Sequence, residues 1–273
     1  MLKLDKQRPI GVFDSGLGGL TVLKEIIKEL PNEDLIYFGD TARVPYGPRS
    51  SETVTKYTFQ SINFLLSKGV KAVVIACNTA TARSLLAAQE KYPDLPIVGV
   101  IEAGARTLAQ VTKSKKVGVI GTDGTINSKA YQKEICKLDS EISVIGRACP
   151  LFVPIVEEGW SDTEIAEMTA RRYLQVFKKE HVDSLVLGCT HYPLLTRTIA
   201  KVVGPGMTLV NPARETARDL KKFLLKADMM NYENDSPKYQ YYVSDAPERF
   251  KEIGSRFLRE PINKIDIVEI QKY

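Results

Sequence analysis

Residues Asp183 to Leu195 read DSLVLGCTHYPLL, a short apolar segment that runs directly into a thiol. The Leu-Val-Leu run is typical of a buried strand, and Gly188 connects it to Cys189 and His191. Open α/β sheets bind ligands at the carboxyl ends of their strands, where loop amides and helix N-termini converge. Its position at such an end makes Cys189 a candidate for chemistry.

A second stretch repeats this plan. Residues Lys71 to Ala82 read KAVVIACNTATA, with the apolar run Val-Val-Ile, a small alanine, and then Cys77 followed by Asn78 and Thr79. A single free cysteine is most often a small buried apolar side chain. Two cysteines at the same place in two matching patterns favour a function for both.

The composition is that of an ordinary globular protein. The chain has 273 residues, of which 44% are hydrophobic and 26% are charged, and this length accommodates two domains. It contains no apolar run of membrane-spanning length, and the initial segment MLKLDKQRP has no apolar signal-peptide core behind it. We therefore expect a cytoplasmic protein with no membrane association.

The charge and the cysteines narrow the function classes further. The net charge of +5 is spread along the chain without a basic block, so we expect no nucleic-acid partner. Four cysteines occur without a C-x-x-C pair, and in a cytosolic protein of this size we expect reduced thiols rather than disulfides.

The order of predicted strands and helices occurs twice. The first half starts at the strand Ile10 to Phe13 and ends at Cys77, and the second starts at the strand Val117 to Ile120 and ends at Cys189. Each half reads strand, helix, strand, helix, strand, cysteine, and VGVIGTDG in the second resembles IGVFDSGL in the first. A duplicated domain explains this order, although two unrelated α/β halves would also produce it, because the alternation is common.

We predict an α/β fold of two doubly wound parallel-sheet domains related by pseudo-symmetry, with the active site in the cleft between them. The first domain comprises residues 1–98 and 211–273 and carries Cys77. The second comprises residues 99–210 and carries Cys189. The strand patterns YQYYV and DIVEI in the C-terminal tail return to the first domain, and the two crossovers near its boundaries with the second form a hinge.

Local patterns predict further elements in the second half. A helix starts at about Asn127, and a strand at Ile142 to Ile145 is followed by a long loop. The next helix starts at Ser161, which has capping-box spacing with Glu164.

The turn DSGLGG after the first strand contains Gly16, Gly18 and Gly19. A dinucleotide fingerprint needs a further glycine where Thr21 stands, and no Gly-Lys-Ser/Thr follows for a P-loop. A glycine turn also lets backbone amides approach an anion such as a carboxylate. Alternatively, it connects a strand to a helix without any ligand.

Two familiar uses of cysteine fit less well. Cys77, Cys189 and His191 are candidate zinc ligands, but a Cys-Thr-His run is not a structural-zinc spacing, and only His181 remains as a further histidine. We therefore expect no metal. A Cys-His hydrolase would use Cys189 as its nucleophile and would leave Cys77 without a role.

Two opposed thiols suit the inversion of a stereocentre. Such a reaction needs a base on one face of a carbon and an acid on the other, and the roles exchange in the reverse direction. Cysteine can serve as either, because a helix N-terminus or a nearby cation lowers its pKa from about 8.5 toward neutral pH. The pair would hold one proton between them and titrate as a coupled unit.

Five motifs, in order along the chain, resemble the signature blocks of glutamate racemases. They are DSGLGG (Asp14 to Gly19), VPYG (Val44 to Gly47), ACNTA (Ala76 to Ala80), CPLFVPIVEEG (Cys149 to Gly159) and GCTHYPLL (Gly188 to Leu195). The paired-cysteine blocks are also shared by the wider superfamily, which includes aspartate racemases. The resemblance implies a bacterial enzyme with two α/β domains that needs no cofactor and makes D-glutamate for the peptidoglycan of the cell wall. Its partners are then glutamate and a second copy in a homodimer.

The same resemblance assigns roles to residues. Cys77 takes the proton from D-glutamate with the assistance of Asp14, and Cys189 takes it from L-glutamate with the assistance of His191, while Glu157 also assists. The implied substrate contacts are Asp14, Ser15, Tyr46, Gly47, Asn78, Thr79, Thr190 and His191. Simpler roles stay open: Asp14 as a turn cap, Glu157 as a solvated loop charge and His191 as a packed helix-start residue.

Three other functions remain as alternatives. They are a relative of the aspartate racemases, a Cys-His hydrolase, and a non-catalytic amino-acid-binding protein that uses the same cleft. The remaining cysteines, Cys136 and Cys149, are expected to have no part in the chemistry.

Overall fold

The computed structural model describes residues 6–273. Residues 1–5, which open the proposed first domain and the segment considered for a signal peptide, lie outside the described residues. Within the described part, no helix is both long and apolar enough to cross a membrane.

Strands and helices alternate through the first part of the chain. In order, these elements are β1 (Ile10–Asp14), α1 (Leu20–Glu29), β2 (Leu35–Gly39), α2 (Ser51–Ser67), β3 (Ala72–Ile75), α3 (Asn78–Lys91) and β4 (Ile97–Gly99). β1, β2 and β3 are buried along their whole length. Strands of a parallel sheet covered on both faces are continuous apolar runs rather than alternating patterns, and these three have that character.

The alternation continues in the second part. In order, its elements are α4 (Ile101–Val111), β5 (Lys116–Gly121), α5 (Asp123–Ser128), α6 (Ala130–Leu138), β6 (Ser143–Ala148), α7 (Phe152–Glu157), α8 (Glu164–Lys179), β7 (Ser184–Gly188), α9 (Thr196–Val203) and β8 (Thr208–Val210). A 3-10 turn at Tyr192–Leu195 connects β7 to α9.

The tail returns to the first sheet. Its elements are α10 (Pro212–Lys226), β9 (Tyr239–Val243), α11 (Pro247–Leu258) and β10 (Asp266–Ile267), with a final 3-10 turn at Ile270–Lys272. Pro212 is the first residue of α10, and the side chain of Asn211 caps this helix by accepting a hydrogen bond from the Ala213 N–H at 3.1 Å. β9 pairs with β2 and β10 pairs with β9, so the tail adds two strands.

The strands form two separate parallel sheets, in the orders β10-β9-β2-β1-β3-β4 and β6-β5-β7-β8. All paired neighbours are parallel. The four strands of each half take the same order, with the second strand first, then the first, third and fourth. The predicted α/β class is confirmed, and this shared order is the pseudo-symmetry that the sequence repeat indicated.

The helix predicted from about Asn127 starts earlier. α5 begins at Asp123 because the side chain of Thr122 accepts a hydrogen bond from the Thr125 N–H at 3.3 Å and caps the helix. Lys129 then adopts a left-handed conformation with φ of 55°, and α6 starts after it. The apolar pattern could not mark these boundaries, because a polar cap and one left-handed residue set them.

The capping box predicted at Ser161 and Glu164 is wrong. Thr163 caps α8, since its Oγ1 accepts a hydrogen bond from the Ala166 N–H at 3.4 Å. Ser161 precedes this cap, and its carbonyl accepts a hydrogen bond from Thr198 Oγ1 at 2.6 Å. The loop predicted before Ser161 contains the short helix α7.

Candidate active site

Cys77 and Cys189 occupy equivalent positions in the two sheets. Ile75 on β3 pairs with the penultimate residue of β1, and Leu187 on β7 pairs with the penultimate residue of β5. Each cysteine follows its paired residue by two positions, beyond the carboxyl end of its strand. The repeat in the sequence therefore delivers two thiols to matching sheet edges.

Cys77 is the N-cap of α3 and is 6% exposed. Its Sγ accepts a hydrogen bond from the Ala80 N–H at 3.4 Å and donates one to Ser15 Oγ at 3.5 Å. Burial and the negative charge of Asp14 raise the pKa of Cys77 to about 12, although the hydrogen bond from the Ala80 N–H opposes the shift. At neutral pH this thiol therefore carries its proton and can donate it.

Asp14 ends β1 and is 1% exposed. Its Oδ2 accepts a hydrogen bond from the Gly16 N–H at 3.0 Å, whereas Oδ1 is buried without a hydrogen-bond partner among residues 6–273. Burial raises the pKa of Asp14, and the positive charge of His191 opposes this rise. A buried carboxylate oxygen without a hydrogen-bond partner is energetically costly, and capping the glycine turn uses only Oδ2.

Cys189 has a histidine as its neighbour. Its Sγ lies 3.9 Å from His191 Nδ1, and His191 Nε2 lies 3.1 Å from Glu157 Oε1 at the end of α7. Burial lowers the pKa of His191, but the hydrogen bonds to Cys189 and Glu157 outweigh it and raise the pKa to about 10. The imidazole is therefore protonated at neutral pH and can stabilise a negative charge on the sulfur.

Glu157 is held by two cationic groups. Its Oε2 lies 3.2 Å from Arg249 Nη2 on α11, on the side of the carboxylate away from His191. Burial raises the pKa of Glu157, but His191 and Arg249 together lower it below its ordinary value. Glu157 is thus a partner that orients the imidazole rather than a solvated loop charge.

The glycine turn between β1 and α1 packs against the residues that follow Cys189. A Cβ atom on Gly18 would fall 2.3 Å from Thr190 Oγ1. Thr21 Oγ1 donates a hydrogen bond to the Thr190 carbonyl at 2.9 Å. The turn therefore joins the two cysteine-bearing sheet edges, in addition to connecting a strand to a helix.

The first residues of α3 also contact the second half. Tyr131 donates a hydrogen bond from its hydroxyl to Asn78 Oδ1 at 2.8 Å, and Thr79 Oγ1 lies 2.7 Å from Thr122 Oγ1. Asn78 and Thr79 directly follow Cys77, so these bonds place its helix N-terminus against the second sheet.

Tyr46 and Gly47 lie in the loop after β2. Tyr46 is buried, and its hydroxyl donates a hydrogen bond to Asp40, so this hydroxyl is bound within the protein. Asp40 is fully buried and also accepts a hydrogen bond from Ser244 Oγ at 2.8 Å. A Cβ atom on Gly47 would fall 3.1 Å from the Cβ of Thr122. The loop thus reaches the second half through its backbone at Gly47.

Three residues of this region were missed by the sequence analysis: Asp40, Tyr131 and Arg249. Asp40 follows β2 at the sheet edge that carries Asp14, and this position was a usable signal. Tyr131 lies within a helical pattern and Arg249 within the tail, and neither has a local sequence signal.

Two surface cavities lie away from the thiols. One of about 580 Å³ is formed by residues of α2 with Lys91 and Tyr273, and one of about 350 Å³ lies among α1, α4, β8 and α10. Cys77 and Cys189 line neither cavity and are almost fully buried. The described residues therefore close around the two thiols and shield them from solvent.

Comparisons with known proteins identify the family of this chain. The model of the Asp/Glu/Hydantoin racemase family matches residues 10–220. A glutamate racemase from Geobacter metallireducens is 52% identical over 264 residues, which cover 97% of each chain. The crystal structure of a glutamate racemase from Francisella tularensis in complex with D-glutamate has a TM-score of 0.92 and 40% identity, and covers 98% of this chain and 100% of that chain. A glutamate racemase isoform from Bacillus anthracis has a TM-score of 0.93 and 42% identity, and covers 97% of this chain and 98% of that chain. This chain therefore belongs to the Asp/Glu/Hydantoin racemase family and, within it, to the glutamate racemases.

Proposed function

We propose that this protein interconverts L- and D-glutamate by transferring protons at Cα between the substrate and two thiols. The observation that carries the proposal is the equivalent placement of Cys77 and Cys189 at two sheet edges, each with its own acid/base neighbour. The names of its relatives supply the substrate. A hydrolase would need only one of the two thiols, and this arrangement provides a partner for both.

Each turnover moves one proton from Cα to one thiol and one proton from the other thiol to Cα. From L-glutamate, the thiolate of Cys189 takes the Cα proton, and the carbanion formed accepts a proton on its opposite face from the thiol of Cys77. The product is D-glutamate, with Cys189 now protonated and Cys77 a thiolate. The reverse reaction, or proton exchange with solvent, restores the starting state.

The residues beside the two thiols favour a starting state in which Cys189 is a thiolate and Cys77 is protonated. His191, with its pKa raised to about 10, is a cation beside Cys189 and stabilises the thiolate there. The pKa of Cys77, raised to about 12 by burial and Asp14, keeps that thiol protonated until the carbanion forms. The same negative charge makes the Cys77 thiolate a stronger base for the return direction.

The substrate is held by short polar side chains and loop amides. Asn78, Thr79 and Thr190 follow the two cysteines directly in the sequence, and Ser15 Oγ lies 3.5 Å from Cys77 Sγ. These four residues offer hydroxyl or amide groups to the carboxylates and ammonium of glutamate. Donors aimed at the α-carboxylate stabilise the charge that develops when the Cα proton leaves. The proposal involves no cofactor, so the protein itself has to provide this stabilisation.

The buried thiols require the site to open. We infer that residues 1–98 with 211–273 form one domain and residues 99–210 the other, and that they separate at the crossovers near residues 98 and 210 to admit substrate. The proposal further places the enzyme in the cytoplasm, as a homodimer, where it supplies D-glutamate for peptidoglycan.

Circular dichroism of the purified protein with L-glutamate tests the activity. The signal should decay to zero, because the two enantiomers have equal energy, and activity should survive exhaustive chelation. Decay with L-aspartate but not with L-glutamate would indicate an aspartate racemase. Release of ammonia or acid would indicate a hydrolase, and a tight complex without turnover would indicate a binding protein.

In deuterated water, early D-glutamate should carry deuterium at Cα while the remaining L-glutamate does not. Equal early labelling of both enantiomers would instead indicate a single base that serves both faces.

A further inference from the structure

Tyr131 on α6 touches the immediate neighbours of both active-site cysteines. Its hydroxyl donates a hydrogen bond to Asn78 Oδ1 at 2.8 Å, and Asn78 directly follows Cys77. Its ring lies over Gly188, which directly precedes Cys189: a Cβ atom on this glycine would fall 3.1 Å from Tyr131 Cε2.

The ring of Tyr131 is fixed between two glycines. A Cβ atom on Gly104 of α4 would fall 3.0 Å from Tyr131 Cε1, on the side of the ring away from Gly188. Tyr131 is 2% exposed. The absence of side chains at both glycines lets the buried ring pack directly against the backbone of α4 and β7.

In this structure the hydroxyl of Tyr131 occupies the oxygen end of the Asn78 amide. The Oδ1 atom can only accept a hydrogen bond, and Tyr131 donates to it. The Nδ2 atom has no hydrogen-bond partner among residues 6–273, so its two N–H donors remain available beside Cys77. Burial and the charge of Cys189 raise the pKa of Tyr131, so its hydroxyl keeps its proton at any working pH.

We propose that Tyr131 is a positioning residue that holds the Asn78 amide with its Nδ2 donors directed at a carboxylate of the bound substrate. This role rests on the function proposed above. A free asparagine side chain presents its oxygen or its nitrogen to a ligand, and the oxygen repels a carboxylate. By hydrogen bonding to the oxygen, Tyr131 leaves the Nδ2 donors to face the carboxylate.

The variant Tyr131→Phe removes the hydroxyl and keeps the packed ring. We expect KM for both enantiomers of glutamate to rise about tenfold, which corresponds to the loss of one well-placed hydrogen bond to a charged group, while kcat changes less than about threefold. Because the equilibrium constant is one, kcat/KM must fall equally in the two directions.

Tyr92→Phe is a matched control. Tyr92 donates the same kind of hydrogen bond, from its hydroxyl to Asn63 Oδ1 at 2.7 Å, and follows the far end of α3, away from Cys77. Its KM for glutamate should match that of the unmodified protein. The control shows whether KM rises on the loss of any Tyr–Asn hydrogen bond or only on the loss of the bond to Asn78.

A double-variant cycle with Asn78→Ala separates positioning from general stability. If Tyr131 acts through Asn78, Tyr131→Phe has no further effect on KM once Asn78 is alanine. The dissociation constant of D-glutamate, measured by calorimetry, supplies the same comparison if the double variant turns over too slowly.

Two results would overturn the positioning role: a KM of Tyr131→Phe within twofold of the unmodified protein, or an equal rise of KM in the Asn78→Ala background. Neither result touches the proposed function, which fails only if the unmodified protein does not racemise glutamate.

Discussion

Gly18 lies so close to His191 that a Cβ atom on this glycine would fall 2.5 Å from the imidazole Nδ1. That nitrogen is the one that faces Cys189, at 3.9 Å from Sγ. The glycine turn and the imidazole are therefore fitted to each other, and the turn restricts the position of His191 relative to the thiol.

Replacing Gly18 with alanine should displace His191 and lower kcat/KM. A shift of about 1 Å in an assisting group costs on the order of 10²-fold in rate, and a Cβ atom at 2.5 Å forces at least such a shift. Steady-state racemisation followed by circular dichroism measures the loss. Gly206→Ala is the matched control, because a Cβ atom there has no heavy atom within 4 Å. Unchanged activity in Gly18→Ala would mean that the position of His191 has little influence on the reaction.

Lys71 and Glu33 form a buried ion pair with 2.5 Å between Nζ and Oε2, and their side chains are 0% and 1% exposed. Lys71 Nζ also donates hydrogen bonds to the carbonyls of Lys6 at 2.6 Å and Met229 at 2.8 Å. Lys71→Met leaves a buried carboxylate without its cation, so unfolding in urea should show a loss of about 3–5 kcal/mol.

Two comparisons check the origin of that loss. The double variant Lys71→Met with Glu33→Gln should lose less than Lys71→Met alone, since no uncompensated charge remains. Lys201→Met breaks an ion pair to Glu167 in which Lys201 is 61% exposed, and it should cost about 0–1 kcal/mol. A larger loss in the double variant than in Lys71→Met would contradict the argument.

His191 should make stability depend on pH. Its pKa is raised in the folded protein to about 10 from the ordinary 6.5, so the folded state holds a proton that the unfolded state releases between these values. The stabilisation is therefore complete below about pH 6.5 and is lost as the pH rises toward 10. The difference in unfolding free energy between the unmodified protein and His191→Asn should shrink from pH 7 to pH 10 in reducing buffer. A constant difference would show that the imidazole is not protonated in the fold.

The sequence predicted the parts of the site that lie in strand-to-helix turns. Asp14 ends a continuous buried run, and Cys77 and Cys189 each follow one, so these apolar runs alone placed the three residues at the carboxyl edges of sheets. The repeat of the pattern then predicted two equivalent edges, which the common strand order confirms.

The side-chain contacts between the two halves could not be predicted from such sequence patterns. Tyr131 reaches Asn78 across 53 positions of sequence, and Arg249 reaches Glu157 across 92. Their side chains meet because the sheets pack at a particular angle and the tail returns to the first sheet. Periodicity records which face of an element is apolar, and it contains no information on that angle.

Single replacements of the two cysteines should each abolish racemisation. Cys77→Ala and Cys189→Ala each remove the proton carrier from one face of Cα, and an acid/base group contributes about 10²-fold to 10⁴-fold or more to such a step. Circular dichroism with either enantiomer measures the loss, and Cys136→Ala, at an exposed thiol, should retain full activity. Substantial racemisation by either active-site variant would exclude a mechanism that needs two thiols.

The assignment of faces needs a different measurement. Cys77 is expected to take the proton from D-glutamate and Cys189 from L-glutamate, with Asp14 and His191 as the respective assistants. Rates cannot test this, because free L- and D-glutamate have equal energy and any variant must lower kcat/KM equally in both directions. Isotope effects need not be equal in the two directions. With deuterium at Cα, the step that the deuterium slows is proton abstraction by the thiol that faces that substrate.

Weakening one thiol makes only its own abstraction step more rate-limiting. Asp14→Asn should therefore enlarge the kcat/KM isotope effect from deuterated D-glutamate and reduce it from L-glutamate, and His191→Asn should do the opposite. The bias should be larger for His191→Asn, because of the two thiols His191 contacts only that of Cys189, at 3.9 Å, whereas the charge of Asp14 acts on both Cys77 and His191. Both biases should be modest if the abstraction steps of the unmodified enzyme limit the rate only in part. If the two variants bias the isotope effects in the same direction, the assistants are wrongly assigned to the thiols, even where both cysteine replacements abolish the reaction.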